Sequence, residues 1–309
     1  MERREKVRKF QAKIKITTPL ATLFQSDTLF GEFCWHFGFL YGLERLEKLL
    51  KEGPFVAFSD LFPDGWLPVP RFPIEGGFES VESYKRFKEL KKKKFVRVET
   101  FRKALEGAGN FEEFCREFYK LAGEERDENP LKEVSRLRVS IDRITGTAYK
   151  GKLFQVEEFF PEVKFFKLYG LFDPEAVSGD EVKATLNFLG LNGFGAKKSS
   201  GMGKFEVVEF KEGWELPERG DKWFISLSTG LPEEGEIEGF YAEFFTKFPR
   251  HGREVARPEI FKEPLVLSRP GSTFRVREKK ELYGSLVEIS APALKGHKHS
   301  RLIVPLFVG

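Results

Sequence analysis

From Phe10 to Thr17 the chain alternates, with Phe10, Ala12, Ile14 and Ile16 on one side and Gln11, Lys13, Lys15 and Thr17 on the other. A period of two predicts a first strand with one buried face. After Pro19 the period changes. Leu29, Phe33, His36, Phe37 and Leu40 recur at spacings of three and four, which predicts a helix from about residue 27. Ser26-Asp27-Thr28 supplies side-chain oxygens of the kind that cap helix starts. The helical pattern pauses near Gly42 and resumes through Leu43, Leu46 and Leu50, with Glu44/Lys48 and Glu47/Lys51 as paired charges and Gly53 as a stop.

Residues 54 to 82 carry five prolines among aromatics and read as an irregular, covered connection. Asn110 with Glu113 resembles a capping arrangement, and Phe111, Phe114, Cys115, Phe118 and Ala122 continue as one helical face, an inserted helix. Leu137, Val139 and Ile141 alternate with Arg136, Arg138 and Ser140, and Leu153 to Phe159 is a second β-compatible run. Asp142 to Gly151 between them has turn chemistry but exceeds a tight hairpin, leaving a projecting ribbon or a mobile loop. Val163 to Leu168 predicts a strand, Asp180 a cap for a helix with Val182, Leu186 and Leu189 inward, and Lys204 to Phe210 a further strand.

Leaving out an insertion at about 54–160, the order is strand, helix, strand, strand, helix, glycine-rich loop (193–204), strand. That is the β-α-β-β-α-β ferredoxin-like pattern. At 309 residues the chain exceeds the usual size of one core. The expected fold is therefore α+β with two ferredoxin-like domains: residues 1–212, carrying the insertion, and a smaller β-rich one at 213–309.

Charge sharpens this picture. Ten Lys or Arg against two Glu lie between Lys85 and Lys103, whereas Glu233 to Glu243 holds five Glu and no base. Separated basic and acidic surfaces suit a polyanion on one side and a protein partner on another, although solvated helix faces give the same runs. The longest apolar stretch, Phe33 to Tyr41, is too short to span a membrane, and Met1 to Lys6 leads into no signal core, so a cytoplasmic protein is expected. Cys34 and Cys115 lack metal or redox spacing and read as buried thiols. Charged residues at 32% with only three Gln and four Asn match the composition of thermophile proteins.

The segment G-F-G-A-K-K-S-S-G-M-G-K-F at 193–205 is the main candidate for chemistry. It lacks the G-x-x-x-x-G-K-[ST] spacing, and it follows a helix and opens a strand, the reverse of a dinucleotide loop. Glycines that let backbone N–H groups approach an anion, with Lys197, Lys198, Lys204, Ser199 and Ser200, fit a contact along an RNA backbone; a flexible turn is the plain alternative. His297 and His299 with Lys295 form a cationic edge suited to an anion rather than a metal. His36 lies on an apolar helix face and reads as packing, and Asp27 as a cap. No hydrolase or zinc-protease motif is present, so no catalytic residue, metal or cofactor is expected.

Three stretches resemble the repeat-associated mysterious proteins (RAMPs) of CRISPR systems. Ser26 to Gly31 with Cys34-Trp35 resembles the S-D-T-L-F-G-x-x-C-W helix start of the Csm-type subunit that caps the guide's 5′ end in type III-A complexes. Ile141 to Thr147, followed by Val156-Glu157-Glu158, resembles that family's I-D-R-x-T-G segment. Gly195 to Phe205 resembles its G-x-K-R-S-S-G-x-G-R-F loop, with Lys198 and Lys204 where Arg is common. The matches run from about residue 14 to 210, with a weaker one from Tyr283-Gly284 onward.

The resemblance implies a non-catalytic subunit holding the repeat-derived 5′ tag of CRISPR RNA, between a large polymerase-like subunit and a backbone RAMP subunit, with target RNA met indirectly. It implies RNA contacts from the loop (Gly195, Lys197, Lys198, Ser199, Ser200, Gly201, Met202, Gly203, Lys204), from Ser26, Asp27 and Thr28, and from a thumb-like ribbon (Arg136, Arg138, Arg143, Ile144, Thr145, Thr147), with His297 and His299 as further anion contacts. The acidic and aromatic stretch Glu233 to Phe248 is a candidate protein interface. The alternative is a RAMP endoribonuclease that processes precursor CRISPR RNA, with His36 as general acid or base.

Overall fold

A computed structural model describes residues 7–73, 81–125, 130–249, 263–288 and 298–309. The alternating segment is strand β1 (Arg8–Ile16), and Phe10, Ala12, Ile14 and Ile16 are all buried. Helix α1 (Ser26–Tyr41) follows, and the chain turns at Gly42, whose φ of 95° only glycine adopts easily, into α2 (Leu43–Glu52). Asp27 does not cap α1: the N-cap is Gln25, with no side-chain hydrogen bond. The expected apolar row is also incomplete. Leu40 and Leu43 face solvent, while Leu46 and Leu49 are buried.

Residues 54–82, expected to be irregular, supply strands β2 (Val56–Phe58), β3 (Phe62–Pro63) and β4 (Trp66–Pro68). All three residues of β2 are buried, so no polar alternation marks it in the sequence. The chain continues through α3 (Val81–Lys92), β5 (Phe95–Arg97), α4 (Val98–Glu106) and α5 (Phe111–Glu124). Asn110 caps α5 as expected, its Oδ1 accepting the Glu113 N–H at 2.9 Å. The basic run spans α3, β5 and α4, and Lys93, between α3 and β5, is buried and donates to the Ala122 carbonyl at 2.8 Å, near the end of α5.

Two long strands, β6 (Leu131–Ile141) and β7 (Ala148–Pro161), form a two-stranded ribbon, joined to the segment before α1 by a bridge between Phe159 and Leu20, after which come β8 (Phe166–Phe172), α6 (Gly179–Asn192) and β9 (Phe205–Glu212). The α6 cap is Ser178 rather than Asp180, in a reciprocal box with Glu181. The main sheet has the order β2-β8-β1-β9, antiparallel throughout, with β3 beside β8. Its four principal strands thus lie second, third, first, fourth, the arrangement of a split β-α-β fold.

Beyond residue 213 come β10 (Trp223–Ser226), β11 (Ile237–Tyr241), β12 (Phe244–Lys247), β13 (Leu265–Ser268), β14 (Thr273–Val276), β15 (Leu286–Glu288), β16 (Lys298–Ser300) and β17 (Pro305–Phe307). The sheet β11-β14-β10-β17 repeats the order second, third, first, fourth. Among the described residues of this part the only helix is a 3₁₀ turn at Glu234–Glu236, so the ferredoxin-like strand order is present and its α-helices are not. One apolar cluster runs from Phe10 through Ile225, Val304 and Leu306, so a continuous core crosses residue 213; Phe224, Phe274, Tyr283 and Ile303 form a smaller cluster.

A buried polar seam joins the two sheets. Asp60, after β2, accepts the N–H groups of Ser26 at 2.9 Å and Thr229 at 2.8 Å, and the Thr229 hydroxyl at 2.8 Å. Ser228 donates to the Phe58 carbonyl and accepts from the Val304 N–H. Burial pushes the Asp60 carboxyl up to about 6, against the pull of these donors. A carboxyl raised on folding stabilises fully below its unfolded value, near pH 4, and that contribution is lost as pH rises through the folded value. Relative to Asp60→Asn, which keeps the shape without the titration, the native chain is expected to lose roughly 3 kcal/mol between about pH 4 and pH 7. Urea denaturation across that range measures the difference, and parallel profiles for the two chains would contradict it.

Candidate nucleic-acid interface

The glycine-rich loop between α6 and β9 is pinned at both ends. The Phe194 N–H donates to the Gly203 carbonyl at 2.8 Å, and the Gly203 N–H to the Pro19 carbonyl at 2.9 Å. Phe194 is buried and stacks on Phe24 at 4.0 Å, and the Thr22 hydroxyl accepts the Ala196 N–H at 3.1 Å. Gly203 has a φ of 78°, and a Cβ there would overlap the Phe194 carbonyl oxygen. Glycine is required at 203 for both reasons. The loop is therefore an ordered element rather than a slack turn.

Its crest is the 3₁₀ turn Lys198–Ser200, entered through Lys197 at φ 60°, the one non-glycine residue with positive φ among those described. Holding a lysine in that region costs on the order of 1 kcal/mol, the kind of local strain that clusters at binding sites. Lys197, Ser199, Ser200, Gly201 and Lys204 are exposed, and Gly195 is half-buried. Met202, expected among the contacts, is instead buried in the loop's base together with Gly203. The lysines also tie the loop to its neighbours. Lys198 Nζ bridges both carboxylate oxygens of Glu32 on α1, at 2.9 and 3.1 Å, and Lys197 Nζ lies 4.8 Å from the Phe154 ring of the ribbon.

On one face of the ribbon, Arg136 and Arg138 flank Glu158, which is 1% exposed, and Arg136 also covers the Phe160 ring at 5.2 Å. A buried carboxylate between two guanidinium groups fixes those side chains on the strand surface. On the other face Leu137, Val139, Ile141 and Leu153 stand exposed, with Val139 opposite Leu153. At the tip, Asp142 Oδ1 accepts the N–H groups of Ile144 at 2.8 Å and Thr145 at 3.3 Å, which lowers its carboxyl below the usual range. Arg143, Thr145 and Thr147 are exposed, and Ile144 is 96% exposed. The expected ribbon contacts thus share one projecting element beside the glycine loop.

The start of α1 turns inward instead. Asp27 is 2% exposed, with Lys247 Nζ 2.7 Å from its carboxylate and His299 Nε2 at 3.0 Å. Burial alone raises this carboxyl, but the His299 hydrogen bond and the Lys247 charge outweigh it, and the net shift is downward. The Lys247 ammonium also donates to Thr28 Oγ1 and Gln25 Oε1, both at 2.8 Å, and Ser26 Oγ donates to the Thr229 carbonyl at 3.0 Å. Ser26, Asp27 and Thr28, for which the family resemblance implies RNA contacts, are thus committed to joining α1 to the second sheet's side of the molecule. His299, expected as an anion contact, is taken by Asp27. His297, with Lys295 and His251, lies outside the described residues.

His36 is buried, donating from Nδ1 to the Glu32 carbonyl at 2.7 Å with its ring edge-on to Phe188, which is the packing role expected. Among the described residues no three His, Cys, Asp or Glu side chains are grouped to hold a metal, and no helix is long and apolar enough to cross a membrane.

The RAMP superfamily model matches residues 24–206, from the start of α1 into β9. The CRISPR system Cms protein Csm4 of Thermococcus onnurineus (strain NA1) is 28% identical over 238 residues, which is 71% of this chain and 73% of that protein. Among solved structures, a chain of a Csm1-Csm4 cassette in complex with cA4 superposes with a TM-score of 0.61 at 20% identity, covering 97% of this chain and 98% of that one. A chain of a Csm3-Csm4 subcomplex from a type III-A interference complex gives 0.61 at 16% identity with the same coverage. These likenesses show a shared fold from end to end.

Proposed function

The chain belongs to the RAMP superfamily, and we propose that it is the non-catalytic subunit that holds the repeat-derived 5′ tag of CRISPR RNA in a type III-A (Csm) effector complex. The observation that carries this reading is the ordered glycine loop, which exposes the Lys197 and Lys204 ammonium groups and the Ser199 and Ser200 hydroxyls beside the ribbon. A phosphodiester chain offers only acceptors, and phosphate contacts of this kind position RNA without reading its bases.

The similarity to Csm4 supports a position between a large polymerase-like subunit and a backbone RAMP subunit, since chains of the same fold are found in a Csm1-Csm4 cassette and in a Csm3-Csm4 subcomplex. In this arrangement the ribbon is a thumb. Its apolar face and the Ile144 tip would be covered by unstacked bases where guide and target separate. The endoribonuclease alternative finds little support in His36, whose ring lies inside α1's packing with Nδ1 already bound to a carbonyl.

Co-expression with the large and backbone subunits and a repeat array, followed by sequencing of the RNA that co-purifies, tests the assignment. RNAs beginning with one common tag are expected. Unrelated RNA, or metal-independent cutting of repeat RNA that His36→Ala abolishes, would overturn it in favour of a processing enzyme.

A further inference from the structure

Gly31 lies in the middle of α1, exposed to solvent, and a Cβ built on it would meet nothing within 4 Å. Two other α-helical glycines have a packing reason. A Cβ at Gly38 would stand 3.0 Å from both Leu43 and Leu46, and one at Gly190 would collide with the Phe205 backbone. Gly31 has neither that constraint nor a positive φ, and glycine in a helix interior weakens the helix relative to alanine. Nothing among the described residues calls for it, so the space in front of it is the feature to explain.

The same face of α1 carries Thr28, Glu32 and Trp35 at helical spacing. Lys247 sits on Thr28, and Lys198 of the glycine loop sits on Glu32, so an ammonium group stands on either side of the open space along the helix. One turn further, the Trp35 indole is 47% exposed, with no ring stacked on it among the described residues. The open space therefore runs from the loop crest, with its Ser199 and Ser200 hydroxyls, to a free aromatic face.

We propose that the outer face of α1 continues the RNA track of the glycine loop: the sugar-phosphate backbone crosses the helix over Gly31, and Trp35 stacks the adjoining base. This rests on the tag-binding reading above and adds two contacts to it. The two ammonium groups beside the open space are already ion-paired, Lys247 with Asp27 and Lys198 with Glu32. The preference for a ligand made of acceptors therefore comes from the exposed Lys197 ammonium and the Ser199 and Ser200 hydroxyls of the adjoining loop, which suit a phosphodiester better than a polypeptide. An indole face accepts any base without selecting one, as a backbone-tracking site requires.

The test uses the full chain and a single-stranded tag RNA carrying 2-aminopurine at successive tag positions. Gly31→Ala is expected to raise the melting temperature by roughly 1–3 °C while weakening tag binding about tenfold through lost close approach. Trp35→Ala is expected to weaken binding about tenfold and Trp35→Phe to restore most of it. At saturating protein one 2-aminopurine position should be quenched by the native chain and by Trp35→Phe, but not by Trp35→Ala.

Gly31→Ala that stabilises the fold with affinity intact, together with unchanged quenching in Trp35→Ala, would overturn the inference. So would loss of partner subunits with unchanged RNA binding, since the face would then be a protein contact. If replacing Lys197 and Lys204 also leaves affinity unchanged, the tag-binding reading itself fails, a result separable from failure at Gly31 and Trp35 alone.

Discussion

Asp27→Ala is expected to destabilise the protein by roughly 3–5 kcal/mol, as removal of one partner from a buried ion pair does elsewhere. The carboxylate is bound on both oxygens, by Lys247 and by His299, and its removal leaves an ammonium and an imidazole facing a space they cannot fill. Asp27→Asn, which keeps the volume but not the charge, should fall between. The pH dependence has the opposite sign to that at Asp60. The folded carboxyl lies below its ordinary value, so its contribution is complete above about pH 4 and is lost as pH falls through the folded value. Urea denaturation at neutral pH measures the main effect. A change below about 1 kcal/mol would mean that water replaces the carboxylate at no cost and that the cluster does not hold α1 to β12 and β16.

Replacing Lys197 and Lys204 together by alanine is expected to weaken binding of tag-bearing RNA by about 10- to 100-fold at moderate salt. If each lysine neutralises one phosphate, the slope of log affinity against log salt should fall by about 1.4, from about 0.7 per contact on a single strand. Lys198→Ala is a different experiment, because that lysine is already paired with Glu32. Its loss should loosen the loop from α1 and change the slope less than either exposed lysine does. Binding measured across a salt series separates the cases, and unchanged slope and affinity in the double variant would remove the loop from the interface.

The two experiments address the two roles that one family motif and one loop play in this chain. Residues 26 to 35 and 193 to 205 both stand out in sequence, and both invite the reading that they touch RNA. The structure separates them. The loop keeps its lysines and serines outside, whereas Ser26 and Asp27 are drawn into the seam between the sheets, leaving only the outer face of the same helix, with Gly31 and Trp35, exposed. Hydropathy could not show this, since a polar residue at a helix start is equally suited to capping, to solvent and to a buried pair. The missed partners share a property: Lys247, Glu32, Asp60 and Phe154 are ordinary residues in ordinary segments, and each acquires its role from a residue far away in the chain.

By itself the sequence determined what local chemistry determines. The alternation of β1, the apolar faces of α1, α5 and α6, the Asn110 cap and the glycine loop between a helix and a strand are all written in neighbouring residues, because side-chain direction repeats every two or about 3.6 positions. Only the tertiary structure decided which strand lies beside β8, because β2 is three buried residues with no period to read. It also decided that Asp27 meets Lys247 and His299 across more than two hundred residues, and that the helix places of the second sheet hold no α-helix among the described residues. Pairing and burial depend on which surfaces meet in space, and no local pattern carries that information.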